Sequence, residues 1–506
     1  MGEIIAFILY FVAMLGIGIF FFIASKNKGE KDYFLGGRQM GPWVTAMSAQ
    51  ASDMSAWLLM GLPGSILAFG LGKAWIGIGL AIGTILNWIF IAKRLRKFSL
   101  ASGDAITFPQ YLSNRFATTN PALKIICAIV FLISFTIYVA SAFSAGAKVF
   151  IQLFPQLDLN PDPAVVDGSL AMGIFAIIIL VYTFLGGYKA VCWTDFFQGL
   201  LMLAALLLVP IVIATTMQLD TNTLSQVFVV GDETYSFTTN LFGASWQDIV
   251  SGLAWGLGYF GMPHILVRFM AIKKPSMVKK SAVVACVWVV ISLLAAILIA
   301  YFGRMVVGAE LLPNGQQEMV FIVLARKLFP GFIAGILLAA IIAASMSTAD
   351  SQLLVASSSF TSDIYKPIFR KTASDKETLW VGRIVVIIVS IIAFFVANNG
   401  GSGAQAIMNM VENAWGLFGG AFGPVVILSL FWKRMTYKGA LAGIISGALV
   451  DILWLIYLKP ITNIFEILPA FIVGFIFCVV VSLIDKKPSA EVEAIFDRAT
   501  DKNNDE

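Results

Sequence analysis

One carboxylate in a run of small and apolar residues is the first chemical feature of the chain: Asp53, within Ala49-Gln50-Ala51-Ser52-Asp53-Met54-Ser55. A carboxylate at the centre of a bilayer costs about 2.5–3.5 kcal/mol on insertion scales. It needs a cation, water or freed backbone N–H groups as partner. Asp53 therefore either organises a cation site or caps the second half of an interrupted helix. A second feature is Ala343-Ala344-Ser345-Met346-Ser347-Thr348. Ala344, Ser347 and Thr348 follow i, i+3, i+4 spacing and share one helix face. Two hydroxyls and a carbonyl there suit a hard cation, and unwound backbone near Ala51 and Met54 offers two more carbonyls. The competing reading is ordinary: Ser and Thr in membrane helices bond back to a carbonyl one turn earlier.

Trp57, Tyr138, Trp255 and Tyr259 are candidate walls for an organic solute, or else packing and interfacial aromatics. His264 is the only histidine and follows Pro263. It either relays a proton or is simply a polar residue ending a half-helix. Asp195, in Cys192-Trp193-Thr194-Asp195, belongs to an inner gate or to a solvated turn. Glu412 early in a later apolar run suggests an outer vestibule at most.

These residues must be positioned by membrane helices. Hydrophobic residues make up 59% of the 506 and charged residues 12%, with a mean hydropathy of +0.88. Soluble domains carry roughly 25% charged residues, so lipid must be the main solvent. Spans of about 20 apolar residues are expected at thirteen places: 3–24, 42–70, 73–92, 121–150, 165–186, 190–217, 246–262, 278–303, 331–360, 377–398, 404–432, 437–457 and 461–484. With the N-terminus outside and the C-terminus inside, most of the 34 Lys and Arg fall on inner segments. Among them are Lys93, Arg94, Arg96, Lys97, Arg115, Arg268, Lys279, Lys280, Lys433 and Arg434, as the positive-inside rule requires. The loops 151–168 and 218–245 are acidic and polar, and the tail 485–506 is expected to lack fixed structure in part.

Two spans carry breaks, one at residues 49–55 and one at Gly256-Leu257-Gly258-Tyr259-Phe260-Gly261-Met262-Pro263. Backbone unwinds at membrane depth only where it lines protein or a cavity. Paired interrupted helices five spans apart point to a transporter with inverted repeats and a midplane site. Four cysteines without CxxC spacing and one histidine offer no metal cluster. No cleavable leader is apparent and no Gly-x-x-x-x-Gly-Lys-Ser/Thr phosphate loop occurs. An enzyme is therefore not expected, and a membrane sensor would lack an output domain.

The stretches Asp32-Tyr33-Phe34-Leu35-Gly36-Gly37-Arg38, Ala51-Ser52-Asp53-Met54-Ser55-Ala56-Trp57, Phe135-Thr136-Ile137-Tyr138, Trp255 to His264 and Met346-Ser347-Thr348 closely resemble the sodium/solute symporter family. The resemblance implies an all-α membrane protein of thirteen helices. Helices 2–6 and 7–11 would be leucine-transporter-type inverted repeats within one domain over 1–484, followed by a cytoplasmic tail, in the cell membrane. It implies sodium (Na+) held by Ala51, Met54, Ala344, Ser347 and Thr348 with Asp53 needed. The solute, L-proline in the branch it resembles most, would meet Ser55, Trp57, Tyr138, Trp255, Tyr259 and Pro263. Arg38 would affect coupling on the cytoplasmic approach, with Asp195 a gating candidate. Ala56 and Met262 stand where the family pattern has glycine and glutamine. Symport of another solute (pantothenate, a sugar or a monocarboxylate) is the alternative.

Overall fold

A computed structural model describes residues 1–24, 30–159, 167–185, 187–230, 233–313, 315–400 and 404–501. Where lipid offers no hydrogen bonds, the backbone must satisfy itself, and helices do so within one segment. The chain accordingly runs through α1 (Gly2–Ala24), α2 (Pro42–Asp53), α3 (Leu62–Phe69), α4 (Ala74–Leu86) and α5 (Lys93–Ala101). It continues through α6 (Ala122–Leu153), α7 (Ser169–Leu185), α8 (Tyr188–Thr216), α9 (Trp246–Ala254), α10 (Pro263–Ala271) and α11 (Val278–Val307). The remainder is α12 (Gly331–Ser358), α13 (Asp375–Gly400), α14 (Ala406–Phe431), α15 (Tyr437–Leu453), α16 (Ile467–Ile484) and α17 (Ala490–Thr500). A hairpin of β1 (Val227–Val230) and β2 (Glu233–Ser236) interrupts the segment between α8 and α9.

Among the described residues ten helices are long and apolar enough to cross a membrane, or eleven if α9 and α10 form one bent span. Trp57–Phe69 and Ser169–Phe184 are apolar but shorter. Length and hydropathy thus establish ten or eleven spans and leave the count of thirteen open. Burial sorts them. The apolar windows around α12 and α14 are 83% and 89% buried, against 28% for α1, α15 and α16. α12 and α14 therefore form the centre, and those three face outward.

Both expected breaks are present. α2 ends at Asp53, Met54 leaves helical geometry (φ −87°, ψ 80°), and a π-helical turn Trp57–Gly61 leads into α3. α9 gives way to a 3-10 stretch Trp255–Phe260, and α10 restarts at Pro263 after a 43° bend. Proline fits that restart because its missing N–H is one no helix needs at its first position. Small residues seat the stretch against α4: a Cβ on Gly83 would run into the Gly256 carbonyl, and one on Gly79 into that of Gly252. Only glycine lets the two backbones approach so closely.

Two sequence expectations need correcting. Arg268 is not a loop charge; it lies within α10 and is buried, as are Arg96 within α5 and Arg115 at the end of a short helix Phe108–Arg115. Asp195 is no solvated turn, being fully buried in α8. Within the tail, Ala490–Thr500 is a helix docked on α5 through Phe496, which packs on Phe98. Residues 160–166 of the loop 151–168 and residues 502–506 of the tail lie outside the described part.

Candidate functional site

The helix break leaves the end of α2 with carbonyls that no following turn satisfies. Side chains supply the partners. The Asp53 carbonyl accepts from the Trp57 indole N–H (3.2 Å) and from the Tyr138 hydroxyl on α6 (3.2 Å). The Asp53 carboxylate accepts from the Tyr259 hydroxyl at 2.6 Å through Oδ2, while Oδ1 is buried with no hydrogen-bond partner. Ser55 sits at the break itself, its N–H donating to the Asp53 carbonyl at 3.1 Å. Asp53, Ser55, Trp57, Tyr138 and Tyr259 are all at most 1% exposed. The two breaks thus meet at one place, with a carboxylate of the first held by a phenol of the second. Pro263, also buried, opens α10, and His264 beside it packs on Phe135 and Tyr138 (5.8 and 6.4 Å between ring centres).

Two residues earlier on α2, at Ala51, the same break faces α12. The Ser347 hydroxyl donates to the Ala51 carbonyl at 2.7 Å and lies 3.2 Å from the Ala344 carbonyl. Thr348 Oγ1, next along that face, is buried with no partner. Met54, also buried, is where the helix geometry fails. An orphaned buried hydroxyl is costly unless something fills its place. Neutral oxygens beside a carboxylate are the donor set a hard monovalent cation accepts.

Arg38 and Asp195 belong elsewhere. The Asp195 carboxylate accepts from Ser48 (2.7 Å) and pairs with Arg268 (3.1 Å). Arg268 also donates to Ser48, Ser351 and the His264 carbonyl, joining α2, α8, α10 and α12. Arg38 is 5% exposed; it pairs with Asp104 (2.7 Å) and donates to Ser99, the Ala105 carbonyl and the Met270 carbonyl at the end of α10. These two clusters lock the ends of α2 and α10 that lead away from the break.

On the opposite side lies a cavity of about 520 Å³ lined by Lys73, Asp248, Trp255, Glu412, Lys459 and Phe465, among others. Trp255 lines this cavity and packs at a tilt on Phe465 (5.0 Å, 37°), and its ring lies 6.2 Å from that of Trp415. Glu412 gains a specific partner: Lys459 bridges it at 2.9 Å to the buried Glu466, also at 2.9 Å.

Two important residues escaped sequence reasoning. Arg268 carried a usable signal, a charge inside Ile265-Leu266-Val267-Arg268-Phe269-Met270, where the insertion cost that singled out Asp53 applies equally. Trp415 on α14 carried none. Its indole N–H donates to the Trp255 carbonyl at 2.8 Å and its ring meets Tyr259 edge-on at 5.1 Å.

Comparison with known proteins adds the following. Residues 33–447 match the model of the sodium:solute symporter family. Among curated relatives, the sodium/proline symporter of Haemophilus influenzae is 41% identical over 508 residues, spanning 98% of this chain and 97% of the relative. Sodium/proline symporters of Staphylococcus aureus strains are 41% identical over 502 residues, spanning 97% of this chain and 94% of theirs. Among solved structures, a Na+-coupled sialic acid symporter in a substrate-bound outward-open state shares the fold with a TM-score of 0.73 at 22% identity. That match covers 97% of this chain and 99% of the other. Mhp1, a nucleobase-cation-symport-1 family transporter, superposes with a TM-score of 0.55 at 13% identity, covering 92% and 98%.

Proposed function

The chain belongs to the sodium:solute symporter family, and from that premise we propose that it carries L-proline into the cell together with sodium by alternating access. One observation carries the reading of the site. The oxygens of Ala51, Ala344 and Ser347 converge, with the orphaned Thr348 hydroxyl on the same face of α12 and Ala51 two residues from Asp53. In this reading, sodium takes the Ala51, Met54 and Ala344 carbonyls with the Ser347 and Thr348 hydroxyls and fastens the broken α2 to α12. Asp53 holds the break in shape through Tyr259 and supplies negative charge nearby. Proline sits beside Ser55, Trp57, Tyr138, Tyr259 and Pro263. Its carboxylate faces N–H groups freed at the breaks, and its ring lies against the aromatic faces. Trp255 acts from the cavity side, as a wall between the outer vestibule and the site.

The proposed arrangement has thirteen spans, with helices 2–6 and 7–11 as inverted repeats, the N-terminus outside and the C-terminus inside. The 520 Å³ cavity is then the outer vestibule, and the Arg38 and Asp195 clusters close the cytoplasmic route. Sodium binding from outside orders the pocket. Proline completes it, the vestibule side shuts, and the inner clusters separate. Each sodium entering gains about 2.3 kcal/mol per 100 mV of membrane potential, which drives accumulation without nucleotide hydrolysis.

Competition on the purified protein tests the solute. Labelled L-proline should bind only when sodium is present. Excess unlabelled proline should displace it, and pantothenate, a hexose or a monocarboxylate should leave it bound. Sodium-dependent binding of one of those three in place of proline would move the assignment to that solute and keep the sodium site.

A further inference from the structure

Tyr259 can hold Asp53 only if the 3-10 stretch that carries it is itself held. The stretch is two 3-10 turns between two helices at 43° to each other. Two of its buried backbone carbonyls accept from side chains: that of Trp255 from the indole of Trp415 on α14, at 2.8 Å, and that of Tyr259 from the Asn87 amide just after α4, at 3.0 Å. The same indole ring abuts the Tyr259 ring edge-on (5.1 Å, 85°) and lies 6.2 Å from the Trp255 ring. The fit leaves no slack: a Cβ on Gly258, between these two aromatics, would overlap the Trp415 indole nitrogen. Trp415 is 1% exposed, and α14 is the most buried of the membrane-spanning helices among the described residues. The contact is thus made from the centre of the protein and not from a mobile edge.

We infer that Trp415 is a positioning residue for the sodium site, acting through the Trp255 carbonyl and the Tyr259 ring to aim the Tyr259 hydroxyl at Asp53. This rests on the proposed role of Asp53 in sodium binding and extends it to a residue that touches neither ion nor solute. Its two contacts separate chemically. Phenylalanine at 415 keeps an aromatic ring and removes the N–H, so the Trp255 carbonyl loses its side-chain partner and that end of the stretch can shift, while Asn87 still holds the Tyr259 carbonyl.

Binding of radioactive sodium to purified protein, without any solute, tests the inference through a double-mutant cycle of Trp415→Phe and Tyr259→Phe. Trp415→Phe, which removes a bond between neutral groups, should raise the half-saturating sodium concentration by about three- to tenfold, and Tyr259→Phe, which removes a bond to a carboxylate, by about ten- to a hundredfold. The double variant should be no worse than the weaker-binding single, because both act through the same Tyr259–Asp53 contact. Trp288→Phe, a buried indole on α11 with no hydrogen-bond partner, is the comparator for packing alone and should stay within about twofold. Effects of Trp415→Phe and Tyr259→Phe that multiply would overturn the inference, as would a Trp288→Phe effect as large as that of Trp415→Phe. Wild-type protein that binds sodium but not proline would discard the proline assignment and leave the cycle readable. Wild-type protein that binds no sodium would remove the premise and the inference with it.

Discussion

At the scale of single residues, the energetics centre on groups that lipid cannot solvate. Asp53 has one oxygen held by Tyr259 and one with no partner. Asp53→Asn keeps the shape and removes the charge. The amide oxygen still accepts from Tyr259, so the loss is of negative charge near the cation, about 1.5–3 kcal/mol at an effective dielectric of about 20, and half-saturating sodium should rise by about ten- to a hundredfold in equilibrium binding. An unchanged value would remove Asp53 from the sodium site. Ser347→Ala deletes a neutral oxygen, and about a fivefold weakening is expected, with proline affinity recovering at saturating sodium. A loss of proline binding that no sodium concentration restores would place Ser347 in the solute pocket instead. Asp195 and Arg268 pose a different problem, since they form a fully buried ion pair. Removing one partner strands the other charge and costs about 3–5 kcal/mol, whereas apolar replacement of both is often tolerated. Asp195→Ala should therefore lower the unfolding temperature sharply, and Asp195→Leu with Arg268→Met should recover most of it. A double variant less stable than the single would show that the pair contributes net stability. Sequence reasoning found Asp53 because a charge stood out among small apolar neighbours. It passed over Arg268 because basic residues near helix ends are read as topology signals, and only packing distinguishes a buried one.

At the scale of elements, both breaks were legible because glycine, proline and an isolated carboxylate are local signals with local causes. The structure adds what each half is fastened to, and those partners come from distant sequence. The C-terminal end of α3 is tied to the segment after the β-hairpin by backbone bonds on either side of Gly70: Leu71 N–H to the Thr238 carbonyl (2.7 Å) and Thr238 N–H to the Phe69 carbonyl (3.2 Å). Gly70 takes φ +84°, and a Cβ there would collide with the Thr238 backbone. α3 and the hairpin segment should therefore move together. Gly70→Ala meets both an unfavourable φ and that clash, a strain of about 1–3 kcal/mol. It should release the hairpin segment, seen as faster amide hydrogen exchange over residues 227–238. Unaltered exchange in a folded variant would mean that the backbone pairing is not what holds the segment. Trp415 shows the limit of sequence reading from the other side. It is one of 12 tryptophans, and nothing in its neighbourhood marks it until α14 is laid against the second break.

At the scale of the whole molecule, the membrane class and the paired breaks followed from composition and spacing, because they depend on bulk hydropathy and on the cost of unsatisfied backbone in lipid. Span number did not follow so directly: interrupted helices fall short of the length that defines a crossing, as Trp57–Phe69 and Ser169–Phe184 do here. The closure of the molecule was also invisible in sequence. Central residues at most 1% exposed lie between a cavity of about 520 Å³ on one side and the Arg38 and Asp195 clusters on the other. Such a shape fits a carrier that opens to one side at a time, with the broken helices as its moving parts. The account stands most directly on uptake of labelled L-proline into proteoliposomes, with and without an inward sodium gradient, for wild type and Asp53→Ala. It predicts accumulation above equilibrium only in wild type and only with the gradient. Gradient-independent equilibration, or equal accumulation by the Asp53→Ala variant, would contradict it.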